Sequence, residues 1–137
     1  MKKRSRALLA VGAVAASVAT LSTPANAASG GGCSGYGGET WWDGMRACIS
    51  APSYGTGRPD AYIALSQGHP ACTIHIVAFR WSDSAIMSRA DYPCPSGPIY
   101  EWHYTAPDFY ATSGGYSTAV SISGSAALIR SPELRLP

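Results

Sequence analysis

The sequence predicts an all-β fold: a small antiparallel β-sandwich or barrel, stapled by two disulfides and carried behind a cleaved signal peptide. Three observations lead there. No stretch after residue 27 keeps a helical apolar period for as long as a stable helix needs. Short runs that alternate every second residue recur between Gly and Pro clusters, as in sandwiches and barrels. Four cysteines, Cys33, Cys48, Cys72 and Cys94, stand in the same stretch, an even number suited to an oxidising compartment.

The signal peptide is read over residues 1–27. Lys2, Lys3, Arg4 and Arg6 lead into an apolar run from Ala7 to Leu21, and Pro24 precedes the small-residue cleavage sequence Ala25-Asn26-Ala27. The run falls short of the roughly 20 residues that span a bilayer, and no later segment approaches that length. The expected product is therefore secreted and extracellular, with no membrane span. Loss of the four basic residues turns the formal charge of +2 into −2 and leaves no Lys. That balance argues against a general nucleic-acid binder. A charged fraction of 13% argues against disordered and coiled-coil classes. Residues 28–38 read as a Gly-rich arm around Cys33 and Tyr36, and residues 39–137 as a single secreted β domain.

Thr40 to Ile49 reads as a strand interrupted by a tight turn or bulge at Asp43-Gly44. Pro52 to Pro59 is expected to be loop, followed by a short strand from Ala61 to Leu65. A turn at Gln67-Gly68-His69-Pro70 precedes the clearest strand, Cys72 to Trp81, which is apolar on both faces like the central strand of a covered sheet. Asp83 is a candidate cap for a short helical turn through Ile86 and Met87. Tyr92 to Pro98 is a Pro-stiffened loop around Cys94. Ile99 to Thr105 alternates Tyr100, Trp102 and Tyr104 against Ile99, Glu101, His103 and Thr105, the pattern of a half-buried strand with an aromatic and a polar face. Beyond Gly114-Gly115, Tyr116, Thr118, Val120 and Ile122 alternate most cleanly with Ser117, Ala119 and Ser121. Ala127 to Arg130 is the last expected strand, stopped by Pro132 before a tail from Glu133 to Pro137.

Three disulfide pairings are open to four cysteines. Cys33 with Cys48 and Cys72 with Cys94 is favoured, because neighbouring closures suit a meander of strands. No two cysteines have Cys-x-x-Cys spacing, and His69, His75 and His103 sit on a turn and two separate strands. Neither a metal nor a cofactor is expected.

Aromatic content is the strongest functional signal. Eight Tyr, four Trp and two Phe all follow residue 27, with few charges around them. Adjacent strand residues point to opposite faces, so Trp41 and Trp42 cannot both enter one core. Exposed rings stack on sugars or anchor protein partners at low entropic cost. The expected binding residues are Trp41, Trp42, Tyr92, Tyr100 and Trp102. The expected role is non-enzymatic: a secreted interaction module for a partner protein or an extracellular glycan.

Signs of catalysis are thin. Gly-x-Ser-x-Gly is absent, and the candidate acid and base are Glu101 and His103, two residues apart on one strand face and about 7 Å apart along the backbone. This pair resembles the Glu and His arrangement of small secreted microbial ribonucleases, which implies a hydrolase in which Arg80 or Arg130 holds a phosphate. In mature size, disulfide number and a cysteine-flanked loop from Arg89 to Ile99, the chain is similar to the subtilisin inhibitors of filamentous actinobacteria, implying protease inhibition through that loop. The Arg-only, Ala-rich and Gly-rich composition resembles that of small secreted proteins from high-GC Gram-positive bacteria. Size and the Gly-rich arm are also similar to those of linking subunits in the umbrella-like toxin assemblies of such bacteria, which implies a joint in a multi-protein particle.

Overall fold

A computed structural model describes residues 28–66 and 68–137, so the expected signal peptide lies outside the described residues. These residues form eleven strands and no helix. In chain order they are β1 (Ser29–Gly30), β2 (Gly32–Cys33), β3 (Asp43–Ser50), β4 (Thr56–Leu65), β5 (Thr73–Arg80), β6 (Ile86–Pro93), β7 (Ile99–Thr105), β8 (Phe109–Tyr110), β9 (Gly114–Ile122), β10 (Leu128–Arg130) and β11 (Leu134–Leu136). One antiparallel sheet runs β1-β11-β9-β5-β6, with β10 also on β9; the other runs β2-β3-β4-β7, with β8 on β4. The sheets pack face to face as a sandwich, and both expected disulfides form. Cys33–Cys48 joins directly opposed residues of β2 and β3, and Cys72–Cys94 ties the entry of β5 to the exit of β6.

Two-residue alternation builds the core. Met45, Ile63, Ile74, Ile76, Val120 and Ile122 point inward from both sheets and are buried together. Ile49, Phe109, Tyr116, Leu134 and Leu136 form a second cluster, where the fully buried Tyr116 satisfies its hydroxyl by donating to the Thr112 carbonyl at 2.8 Å. Polar ties close the sandwich along its β6/β7 side: Ser88 donates to the Pro107 carbonyl at 2.6 Å, and the Tyr92 hydroxyl donates to the Thr105 carbonyl.

The structure corrects several local expectations. Asp43-Gly44 is the start of β3, not an interruption; the turn comes earlier, over residues 39–42, with the Asp43 carboxylate accepting from the Thr40 amide at 2.7 Å. β4 begins at Thr56 and carries Pro59 inside it, where a loop was expected. A strand residue's N and O point the same way, and the Pro59 carbonyl accepts from Ala106 at 3.1 Å, between the end of β7 and the start of β8. The missing proline N–H therefore falls where the ladder changes partner and removes no strand hydrogen bond. Asp83 does cap, but it caps a turn: its carboxylate accepts from the Ala85 amide at 3.1 Å with Ser84 at φ 60°, and β6 follows with no helical turn. The outer side of β5, Thr73, His75, Val77 and Phe79, is half-exposed, not covered as expected. The tail after Pro132 contains β11, in which buried Leu134 and Leu136 flank exposed Arg135.

Candidate functional site

The site is built where the turn before β3 meets the start of β7. Thr40 gives its amide and hydroxyl to the Asp43 carboxylate at 2.7 and 2.8 Å, and Ser66 donates its amide to the Trp42 carbonyl at 3.0 Å. This fixed turn sends adjacent side chains in opposite directions. Trp42 is 8% exposed and lies against the His69 ring, centroids 6.3 Å apart, while Trp41 is 77% exposed.

Across from the turn, β7 departs from simple alternation. Leu65 opposes Ile99 and Ile63 opposes Trp102, so Tyr100 and Glu101 together face Ala64 in a bulge. The bulge puts Ile99 and Trp102 in register with inward residues of β4 and breaks the expected shared face of Tyr100 and Trp102. Tyr100 is 88% exposed. Nor is β7 half-buried: it forms the edge of its sheet, and Tyr100 to His103 are exposed on both sides. Trp41, Trp42 and Tyr100, with Leu65, Pro98 and Ile99, line a groove of about 420 Å³.

The other two sequence-selected rings belong to a separate row on the β6/β7 side. Tyr92 lies 5.0 Å from Tyr104, and Tyr104 lies 6.4 Å from Trp102. Tyr104 and Pro98 escaped selection, although Tyr104 stands in the β7 pattern and Pro98 in the stiff loop. That loop is also shorter than expected. Arg89 to Pro93 are strand, leaving residues 94–98, held by the Cys72–Cys94 bridge and by a 2.9 Å hydrogen bond between His69 Nε2 and the Gly97 carbonyl.

Glu101 and His103 are both exposed on β7. His103 Nε2 donates to Asp60 at 3.0 Å, and its ring stacks on Tyr62 with centroids 4.7 Å apart. Beside Tyr62, on β3, the Arg46 guanidinium lies 4.6 Å over the Tyr36 ring. Partial burial, followed by the neighbouring Glu101 carboxylate, holds the Tyr36 hydroxyl above its usual pKa. The arginines expected to hold phosphate stand apart from this ladder. Arg80 pairs with Asp83 at 2.7 Å, and Arg130 lies over Phe79, both in the opposite sheet. The three histidines also stay apart: His75 pairs with Asp91 at 2.5 Å, while His69 and His103 have the separate partners given above.

No family model matches the chain, and no curated protein does. Among solved structures the chain is similar to chicken MD-1 complexed with lipid IVa, at 7% identity and a TM-score of 0.28, covering 74% of this chain and 94% of that one. No residue of the groove is assigned by that similarity. The two disulfides suit an oxidising, extracellular setting, and no helix of the described residues is long and apolar enough to cross a membrane.

Proposed function

We propose that the protein is a secreted, non-enzymatic interaction module that seats an apolar or aromatic side chain of a partner protein in the groove between Trp41 and Tyr100. The observation that carries this reading is the convergence of two largely exposed rings on one groove whose floor is apolar. A protein is favoured over a glycan because a sugar needs a dense set of free hydrogen-bonding groups beside the ring. Asp43 lines the groove with its carboxylate already taken by Thr40 and by Ser125, the latter at 2.5 Å, which leaves the Ser66 hydroxyl as an unpartnered polar side chain there, too sparse a set for a sugar. The Tyr92, Tyr104 and Trp102 row supplies a second aromatic surface on the same domain. A module with two such surfaces suits a linking subunit of a secreted multi-protein assembly.

The test is capture of partners from culture filtrate by the mature chain, followed by titration of the recovered protein. Trp41→Ala combined with Tyr100→Ala is expected to weaken binding by about 2 kcal/mol, roughly thirtyfold. The equally exposed pair Tyr54→Ala and Tyr110→Ala should leave affinity unchanged. Retention on insoluble cell wall, lost in the first double variant, would assign the groove to a glycan instead. Binding that survives the loss of both groove rings would remove the reading.

A further inference from the structure

Among the described residues, every sheet edge except that of β7 is short or blocked. β1 and β2 are two residues each, and β2 is closed by its disulfide. β6 carries an Arg89–Asp91 ion pair at 3.0 Å and ends in Pro93. β7 is seven residues long and contains no Lys, Arg or Pro; beyond its bulge at Tyr100-Glu101 it keeps regular register from Trp102 to Thr105, with Trp102 and His103 exposed. Its outward backbone groups follow from the ladder. Ala106 donates to Pro59 on β4, so the two-residue period turns the N–H and C=O of Tyr104 and Trp102 toward β4 and those of His103 toward the open edge; Thr105 keeps only its N–H free there, because its carbonyl accepts from the Tyr92 hydroxyl.

The side chains of this edge complement themselves. If two β7 strands pair antiparallel about a two-fold axis at Trp102, Glu101 of each copy opposes His103 of the other, whose ring already meets Asp60 of its own chain through Nε2. Centring the axis one residue earlier sets Glu101 against itself; one residue later sets His103 against itself. Like-with-like contacts thus count against both of these neighbouring registers. With the axis at Trp102, this residue meets its own copy at a non-hydrogen-bonded position, where backbones approach to about 4.5 Å and rings pack side by side. Trp102, 56% exposed in the single chain, would gain cover there beside Tyr104. We infer that β7 is the docking edge for a second copy of this chain, forming a two-fold dimer with one continuous sheet through both molecules. The inference does not rest on the groove having a partner. It does place the two grooves at opposite ends of the joined sheet, which would make the dimer bivalent.

Sedimentation velocity of the oxidised mature protein over a concentration series tests this, with hydrogen exchange at the β7 amides read on the same samples. The expected results are a mass that doubles with concentration and protection of the Glu101 and His103 amides that appears only in the dimer. Glu101→Lys, which sets a base against His103, and Trp102→Ala should each weaken the dimer about tenfold or more. Tyr54→Ala, far from β7, should leave it unchanged. Near-UV circular dichroism of the monomer separates loss of dimer from loss of fold. A protein that stays monomeric at every concentration, or a dimer indifferent to both β7 substitutions, would overturn the inference. So would β7 amides that become protected only when culture filtrate is added, because the edge would then belong to a different protein.

Discussion

Replacing Asp43 with Ala is expected to destabilise the fold by about 3 kcal/mol at neutral pH, through loss of one buried acceptor that serves several donors. The carboxylate takes the Thr40 amide and hydroxyl on the turn before β3 and the Ser125 hydroxyl on the turn after β9. It thereby clamps the entry of one sheet to the exit of the other. Its removal leaves those donors facing each other in a site that is 8% exposed. Burial alone would raise the Asp43 pKa, but the hydrogen bonds from Ser125 and Thr40 outweigh it and hold the group below the usual carboxylate range. A folded pKa below the unfolded one stabilises the native state fully above the unfolded pKa, and the benefit fades as pH falls through the folded value. The gap in urea midpoint between wild type and Asp43→Ala should therefore be widest near pH 7 and narrow below about pH 4. An equal gap at both pH values would show that the ionised carboxylate is not the source. Because the same turn aims Trp41 outward, groove binding should weaken in this variant even under conditions where it remains folded.

The fold was legible because its core strands follow the two-residue rule closely. Tyr116, Thr118, Val120 and Ile122 alternate in the sequence and are buried in the structure, and Ile74, Ile76 and Ala78 do the same on β5. The misread places are those where a local signal has two structural solutions. Asp-Gly opens a turn or starts a strand, and the side-chain partner that decides, Ser125, stands 82 positions away. Pro59 breaks a ladder only if its N–H would have had a partner, which depends on where β7 ends. Three-residue β11 is too short to show a period. The site was half visible for the same reason. Trp41 and Trp42 announce opposite orientations, but meeting Tyr100 across a groove depends on the bulge at Tyr100-Glu101, a feature of β4 pairing with β7 and not of β7 alone. Glu101 and His103 do lie together on β7, yet the imidazole's partner, Asp60, comes from another strand and is invisible to local spacing.

Joint replacement of Cys72 and Cys94 by Ala is expected to cost about 3 kcal/mol, the loop-closure entropy returned to an unfolded chain when a bridge spanning 22 positions is lost. Cys33–Cys48 spans 15, and because the entropy term grows only with the logarithm of loop length, its removal should cost nearly as much. Stability therefore separates the two bridges poorly, whereas binding should separate them well. Cys72–Cys94 anchors the loop that leads to Pro98 and Ile99 on the groove, while Cys33–Cys48 joins β2 to the part of β3 remote from it. After loss of Cys72–Cys94 the loop retains the hydrogen bond that the residue 94 N–H donates to the residue 72 carbonyl at 2.8 Å and the His69 contact to Gly97, weaker ties that leave it freer to move. The expected pattern is two variants of similar urea midpoint, of which only the Cys72/Cys94 variant binds the groove ligand markedly less tightly. Equal loss of affinity in both would mean that the groove is sensitive to the stability of the whole sandwich and not to the seating of this loop.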